Sequence, residues 1–168
     1  MRKLEDMSYK DALTNIGNRF AMRDCVDSID KKQSIGVVYC DVTGLKYVND
    51  TMGHSAGDQL ILNFARLLRN VIPEKDFVGR YGGDEFMAVI YHTSQTEVEE
   101  ILKCLCLEKD RLNNREDKML IDYAYGWALS AKDGEYTIQT LLDKADSYMY
   151  ENKQLCKRYS LTSEVESF

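Results

Sequence analysis

Basic residues are too few in this chain to make an electrostatic footprint for nucleic acid. Lys and Arg number 22 against 28 Asp and Glu in 168 residues, a formal charge of −6, where a nucleic-acid domain carries a basic stripe. Long apolar runs are missing too: none approaches the roughly 20 residues of a membrane-crossing helix, and nothing reads as a signal peptide. Proline occurs once, at Pro73, with no repeat or low-complexity linker to divide the chain. Histidine occurs twice, and the five cysteines are an odd number without metal-type spacing. A Cys/His metal cluster is thereby excluded, and a reducing, cytoplasmic setting is expected. Cys104 and Cys106 fall on different faces of a helix-like stretch and make no metal pair. What remains is 44% hydrophobic, enough for one domain with its own core and no contact with membrane or nucleic acid.

The most informative stretch is Arg80-Tyr81-Gly82-Gly83-Asp84-Glu85-Phe86. Phe77-Val78-Gly79 precedes it and Phe86-Met87-Ala88-Val89-Ile90-Tyr91 follows. A Gly-Gly pair between apolar runs reads as a hairpin turn, with glycine supplying positive φ. The turn presents Asp84 and Glu85 at a bare tip, where paired acids suit a divalent cation or a proton transfer; solvated turn decoration is the plain alternative.

A second acid follows another strand. Ser34 to Cys40 is short and mostly apolar, as expected of a strand buried on both faces, and it runs into Asp41-Val42-Thr43-Gly44. If this strand neighbours the hairpin, Asp41 and Asp84 project from one end of a sheet and share a cation. Oxygen donors alone favour Mg²⁺ or Mn²⁺ over Zn²⁺.

Around these acids the pattern predicts helices from about Arg19 to Lys31, Gln59 to Val71, Thr96 to Asn113 and Ile138 to Gln154, and a late strand near Leu120 to Leu129. Ser55 or Asp58 is placed to cap the Gln59 helix, whose Leu60, Ile61, Phe64, Leu67, Leu68 and Val71 form a core stripe. Helices alternating with strands, plus one hairpin, give an α/β fold with a mixed central sheet flanked by helices.

Four segments match a known family in order and spacing. Asp11-Ala12-Leu13-Thr14-Asn15-Ile16-Gly17-Asn18-Arg19 is similar to its opening Asp-x-Leu-Thr-x-Leu-x-Asn-Arg. Asp41 through Asp58 follows Asp-x-x-x-x-Lys-x-x-Asn-Asp-x-x-Gly-His-x-x-Gly-Asp without a gap. Gly82 to Phe86 is the signature, and Ala145-Asp146, Tyr150 and Lys153 resemble the closing Ala-Asp-x-x-x-Tyr-x-x-Lys. The chain thus resembles the GGDEF domain of diguanylate cyclases from about Asp11 to Lys157. The resemblance implies a βαββαβ palm-like core similar to that of nucleotidyl cyclases, the domain spanning 11–158. Residues 1–10 then end a connecting helix, with Leu4 and Met7 placed for helix pairing, and 159–168 form a mobile tail.

The resemblance also implies an activity: condensation of two GTP into cyclic di-GMP with release of two pyrophosphates, by a transient homodimer holding one GTP per subunit. By family position, Asp41, Asp84, Glu85 and the Val42 carbonyl bind Mg²⁺ or Mn²⁺, two ions per active site, and Asp84 and Glu85 are catalytic. Asn49 and Asp58 select guanine, whose N1–H and exocyclic amine a carboxylate accepts together. Turn and cap roles are the plain alternatives for these two. Lys46 and Lys153 contact the triphosphate. Backbone amides of Thr43, Gly44 and Leu45 cradle its phosphates, and Gly82 and Gly83 line the site. Arg80 braces the hairpin, His54 is structural, and Trp127 packs on the sheet. An upstream sensor or dimerising domain is the expected partner. A catalytically silent GTP-binding or protein-interaction module is the other reading.

Three departures from the family pattern stand out. Thr43 and Leu45 replace an acid and an aromatic, and Cys156-Lys157-Arg158 replaces Gly-Arg-Asn. Pro73-Glu74-Lys75-Asp76 occupies the place of an inhibitory Arg-x-x-Asp, and proline supplies no guanidinium for the product.

Overall fold

The computed structural model describes residues 9–30, 32–115, 119–130 and 136–165, with side chains described outside 138 and 153–165. The elements are α1 (Arg19–Asp27), β1 (Ile35–Val42), α2 (Leu45–Met52), α3 (His54–Val71), β2 (Phe77–Arg80), β3 (Glu85–Tyr91), α4 (Gln95–Asn113), β4 (Tyr123–Leu129) and α5 (Ile138–Val165). From β1 onward this is the expected βαββαβ succession. The four strands form one sheet in the order β2-β3-β1-β4. Each pairing is antiparallel, and a parallel bridge joins Gly17 to Gly79 at the β2 edge.

Central position explains the apolar character of β1: seven of its eight residues are buried. Strand alternation splits its side chains between two cores. Val38, Cys40 and Val42 pack with Leu60, Ile61, Phe64, Leu67 and Leu68 of α3, where Phe64 meets Phe86 edge-on at 4.9 Å. Ile35, Val37 and Tyr39 face Met22 and Val26 of α1 and Leu141, Ala145 and Met149 of α5. The helical stripe expected in α3 is therefore core.

Two helices start on side-chain caps, and a third departs from the expected one. Asn18 caps α1 by accepting from the Phe20 and Ala21 amides at 3.0 Å, and Ser94 with Glu97 forms a capping box on α4. Ser55 and Asp58 do not cap the next helix: α3 begins at His54, with Gly53 as its N-cap at φ 90°. The helix α2 was not anticipated. Its eight residues lie between Gly44 at φ 82° and Gly53 at φ 90°, two left-handed positions that glycine adopts without a Cβ penalty. These glycines are thus the stops of a short helix. No glycine or proline follows Ile138, and α5 runs past Gln154 to Val165, across part of the expected tail.

Contact between α5 and β4 fixes the register of the closing segment. A Cβ on Gly126 would stand 1.8 Å from the Ala145 carbonyl oxygen, so helix and strand touch backbone to backbone. Asn152 donates to the Tyr125 carbonyl at 3.1 Å two turns further on. Trp127 stacks on Tyr148 at 6.3 Å and 8°, a packing role as expected. Gly126→Ala should cost about 1–3 kcal/mol of stability through overpacking, measured by urea denaturation. Gly83→Ala, with nothing within 4 Å of the added carbon, should stay within about 0.5 kcal/mol.

Candidate active site at the β1–β3 end

The register of β1 on β3 brings the acids together. Asp41 pairs with Glu85, and the Val42 amide donates to the Asp84 carbonyl at 2.9 Å. Asp41, Asp84 and Glu85 therefore share one end of the sheet, as the adjacency of the two strands required. Burial, first, and then a hydrogen bond and negative charge from Asp41 push the Asp84 carboxyl above the usual aspartate range, with Glu85 adding to the rise. Two carboxylates this close, with oxygen donors only, form a set that a hard divalent cation relieves. Among the described residues no group of three or more His, Cys, Asp or Glu is arranged to hold a metal ion. The Asp41–Asp84 pair is what suits one, with the Val42 carbonyl and Glu85 as the remaining expected donors.

Glycine at the hairpin tip serves space rather than handedness. Neither Gly82 nor Gly83 takes a left-handed φ, contrary to the expectation from the turn; that conformation falls to Gly44 and Gly53. A Cβ on Gly82 would instead lie 2.6 Å from Glu85 Oε2, while the space over Gly83 is open. Arg80 braces the tip as expected. Its guanidinium donates to the Gly82 carbonyl at 3.1 Å and to that of Gly83 at 2.8 Å, and it pairs with Asp11 at 3.4 Å.

The opening motif is a second brace, which sequence reasoning did not assign. Arg19 donates to the Tyr81 carbonyl at 3.3 Å and lies over the Tyr81 ring at 4.4 Å. Asp11 accepts from the Thr14 amide at 2.9 Å and its hydroxyl at 2.7 Å. Burial raises the Asp11 carboxyl, but the Thr14 bonds and Arg80 outweigh it and hold it below the usual range.

On the α5 side, Asp41, Asp146, Ser147, Met149, Tyr150 and Glu151 line a cavity of about 610 Å³. That volume lies within the span of ordinary ligand pockets. Lys153 belongs to α5, but its side chain lies outside the described residues, as do those of 154–158; Leu4 and Met7 lie outside them altogether.

Asn49 and Asp58, the two residues expected to select guanine, lie on adjoining helices. A Cβ on Gly57 would meet Asn49 Oδ1 at 1.8 Å, so Asn49 of α2 lies directly over the residue preceding Asp58 of α3. Asp58 is exposed, and so is Lys46. The capping alternative for Asp58 is removed by the helix beginning at His54. In the loop after β1, the Thr43 amide donates to the Asp122 carbonyl at 2.9 Å. This takes Thr43's amide out of the expected phosphate cradle. The amides of Gly44 and Leu45, at the start of α2, are ones no intrahelical bond can use.

Comparison with known proteins gives this geometry a family. The family model described as "Diguanylate cyclase, GGDEF domain" matches residues 8–158, and the chain belongs to the GGDEF family. It is 30% identical over 152 residues to diguanylate cyclase DgcN of Escherichia coli (strain K12), covering 85% of this chain and 36% of DgcN. It is 31% identical over 157 residues to the cyclic di-GMP phosphodiesterase PdeR of the same organism, covering 90% of this chain and 23% of PdeR. The chain thus spans well under half of either relative. The crystal structure of the coiled coil and GGDEF domain of DgcB from Caulobacter crescentus, in complex with c-di-GMP, superposes with a TM-score of 0.79 at 25% identity. That match covers 91% of this chain and 84% of the other. Among the described residues no helix is long and apolar enough to cross a membrane.

Crowding of the acids has a consequence for stability. A carboxyl raised by folding binds more protons folded than unfolded, so its contribution is fullest below the ordinary aspartate value and falls as pH rises through the raised one. Without a divalent cation, Asp84→Asn should therefore be more stable than wild type at neutral pH, with the difference shrinking on acidification. Thermal unfolding across that range checks it, and a difference constant with pH would refute the electrostatic account.

Proposed function

We propose that this domain is a diguanylate cyclase that condenses two GTP into cyclic di-GMP, each subunit of a homodimer holding one GTP. The observation that supports it most is the placement of Asp41, Asp84 and Glu85 at one end of the β1–β3 pair. In each half-reaction a ribose 3′-oxygen bonds to the α-phosphorus of the other GTP, the bond from that phosphorus to the β-phosphate bridge breaks, and pyrophosphate leaves. The 3′-hydroxyl proton passes to a carboxylate. Asp84 and Glu85 are the catalytic acids by position, and a carboxyl pushed upward, as Asp84 is, takes a proton more readily. Mg²⁺ or Mn²⁺, two ions per site held by Asp41, Asp84, Glu85 and the Val42 carbonyl, supplies neutralisation of the triphosphate charge.

Recognition is assigned to the other side of the β1 end. Asn49 and Asp58 take the guanine edge, and a base that cannot donate to Asp58 leaves that carboxylate without its partners; such sites discriminate by up to about 10⁴-fold. Lys46 and Lys153, with the Gly44 and Leu45 amides, hold the phosphates. Gly82 and Gly83 leave the tip free of side chains, and Thr43 opens the loop between β1 and α2. A cytoplasmic setting and an upstream sensor or dimerising segment complete the reading.

The second reading, a GTP-binding regulatory module without turnover, is favoured by the similarity to PdeR, whose name is that of a phosphodiesterase. Incubation with GTP and Mg²⁺ at high protein concentration separates the two. Wild type should form cyclic di-GMP, and Asp84→Ala or Glu85→Ala should lose at least about 100-fold in rate, the scale of a lost catalytic acid or base. Binding of GTP without any product would leave the regulatory reading. Feedback gives a further check, because Pro73 stands where an inhibitory arginine is expected. Added cyclic di-GMP should not inhibit noncompetitively at low micromolar concentration in a turnover assay.

A further inference from the structure

The Glu85 carboxylate lies between two groups that shape its place. The bare Cα of Gly82 leaves room for Oε2, which a Cβ there would approach to 2.6 Å. Tyr39 and Glu85 are diagonal neighbours across the β1–β3 pair, and burial and then the nearby Glu85 carboxylate push the Tyr39 hydroxyl above its usual range. Tyr39 stands two positions before Asp41 on β1 and opposite Met87, so strand alternation turns it to the face that carries Asp41 and Glu85. Its ring is only 7% exposed, packed with Met87, Ala145 and Met149. It meets Tyr81 edge-on at 6.4 Å and 69°. A ring held on so many sides presents its hydroxyl from a fixed place.

We propose that Tyr39 is a positioning residue of the active site, donating its hydroxyl to Glu85 and holding that carboxylate beside the Asp41–Asp84 pair that suits a cation. The proposal rests on the reading of these acids as the cation-binding set of a cyclase. Its chemistry follows from the charge around it. The negative charges of Asp146 and Asp41 also act on this hydroxyl. A lysine at this place would neutralise the acids and compete with a metal, and an aliphatic residue would leave Glu85 free to turn. A phenol orients a carboxylate without cancelling its charge. Such outer partners of metal-binding side chains are worth about 10–100-fold in metal affinity or activity.

Tyr39→Phe keeps the ring and removes the donor. Mn²⁺ affinity is measured by electron paramagnetic resonance with a GTP analogue whose α–β bridge is carbon, so no turnover is needed. The variant should bind Mn²⁺ about 10-fold more weakly, while its metal-free affinity for the analogue matches wild type. In turnover, kcat should fall about 10-fold with KM for GTP unchanged. Equal Mn²⁺ affinities in variant and wild type would overturn the proposal, as would a wild type that binds no Mn²⁺ beside the analogue. Should Tyr39→Phe fail to fold, Gly82→Ala displaces the same carboxylate from its other side and must show the same weakening; an unchanged affinity there overturns the proposal too. A wild type that binds Mn²⁺ as expected but makes no cyclic di-GMP counts against the synthetic reading alone.

Discussion

Like charges gathered by strand pairing are the constraint on which the rest of this structure depends. Once Asp41 and Glu85 are cross-strand partners, with Asp84 beside them, the sheet end carries a concentration of negative charge that folding alone would not favour. Burial is the first cause of the upward push on Asp84, and the charges of Asp41 and Glu85 add to it. The backbone holds the acids together despite it: β1 is paired on both edges and buried along almost its whole length. An isolated hairpin carrying these side chains would splay or slip, because two strands are marginal by themselves. The energy that packs Val38, Cys40 and Phe86 against α3 is what keeps the carboxylates close.

Braces at the hairpin tip act in the same sense. Arg80 and Arg19 reach it from different elements, and between them they satisfy the carbonyls of Tyr81, Gly82 and Gly83. Both place their charge on backbone oxygen rather than on the signature acids. Arg80 is further engaged by Asp11, itself fixed by Thr14. The tip is thus stiffened by cations that leave Asp84 and Glu85 available to a ligand. Without such anchoring, a turn with two glycines would lose much of its order to backbone entropy.

Legibility of the sequence followed the physical origin of each feature. The α3 stripe and the buried β1 were readable because period and spacing encode them locally, whereas the convergence of Asp41 with Asp84 was conditional on a pairing of β1 with β3 that the structure supplies. The helix α2 was not, since Leu45 and Val48 are a short apolar pair between two glycines, and only packing on the core makes them helical. The hairpin glycines were recognised for the wrong reason. Composition shows that a Cβ is missing, but not whether handedness or a neighbouring carboxylate requires its absence. Tyr39 read as one more apolar member of its strand, although the period-two rule puts it on Asp41's face. Gly126 and Arg19 act through partners remote in sequence, Ala145 and Tyr81, which no local pattern names.

The short link after β1 then sets the relation between chemistry and recognition. Asp41 faces the α5 side of the sheet, whereas Asn49 and Asp58 belong to the α2–α3 elbow, so a nucleotide bound by both must pass around the end of β1. Thr43-Gly44-Leu45 is that corner, pinned by the Thr43 amide on the Asp122 carbonyl and turned by the left-handed Gly44. The side chain of Asp122 is itself only 4.0 Å from Lys109, a sign that charge at this end is already contested. A second acid at position 43 would add another carboxylate beside Asp41 and Asp84. A neutral threonine holds the corner without that repulsion, so the departure from the family pattern at this position is compatible with the charge balance of the site rather than a mark of its decay.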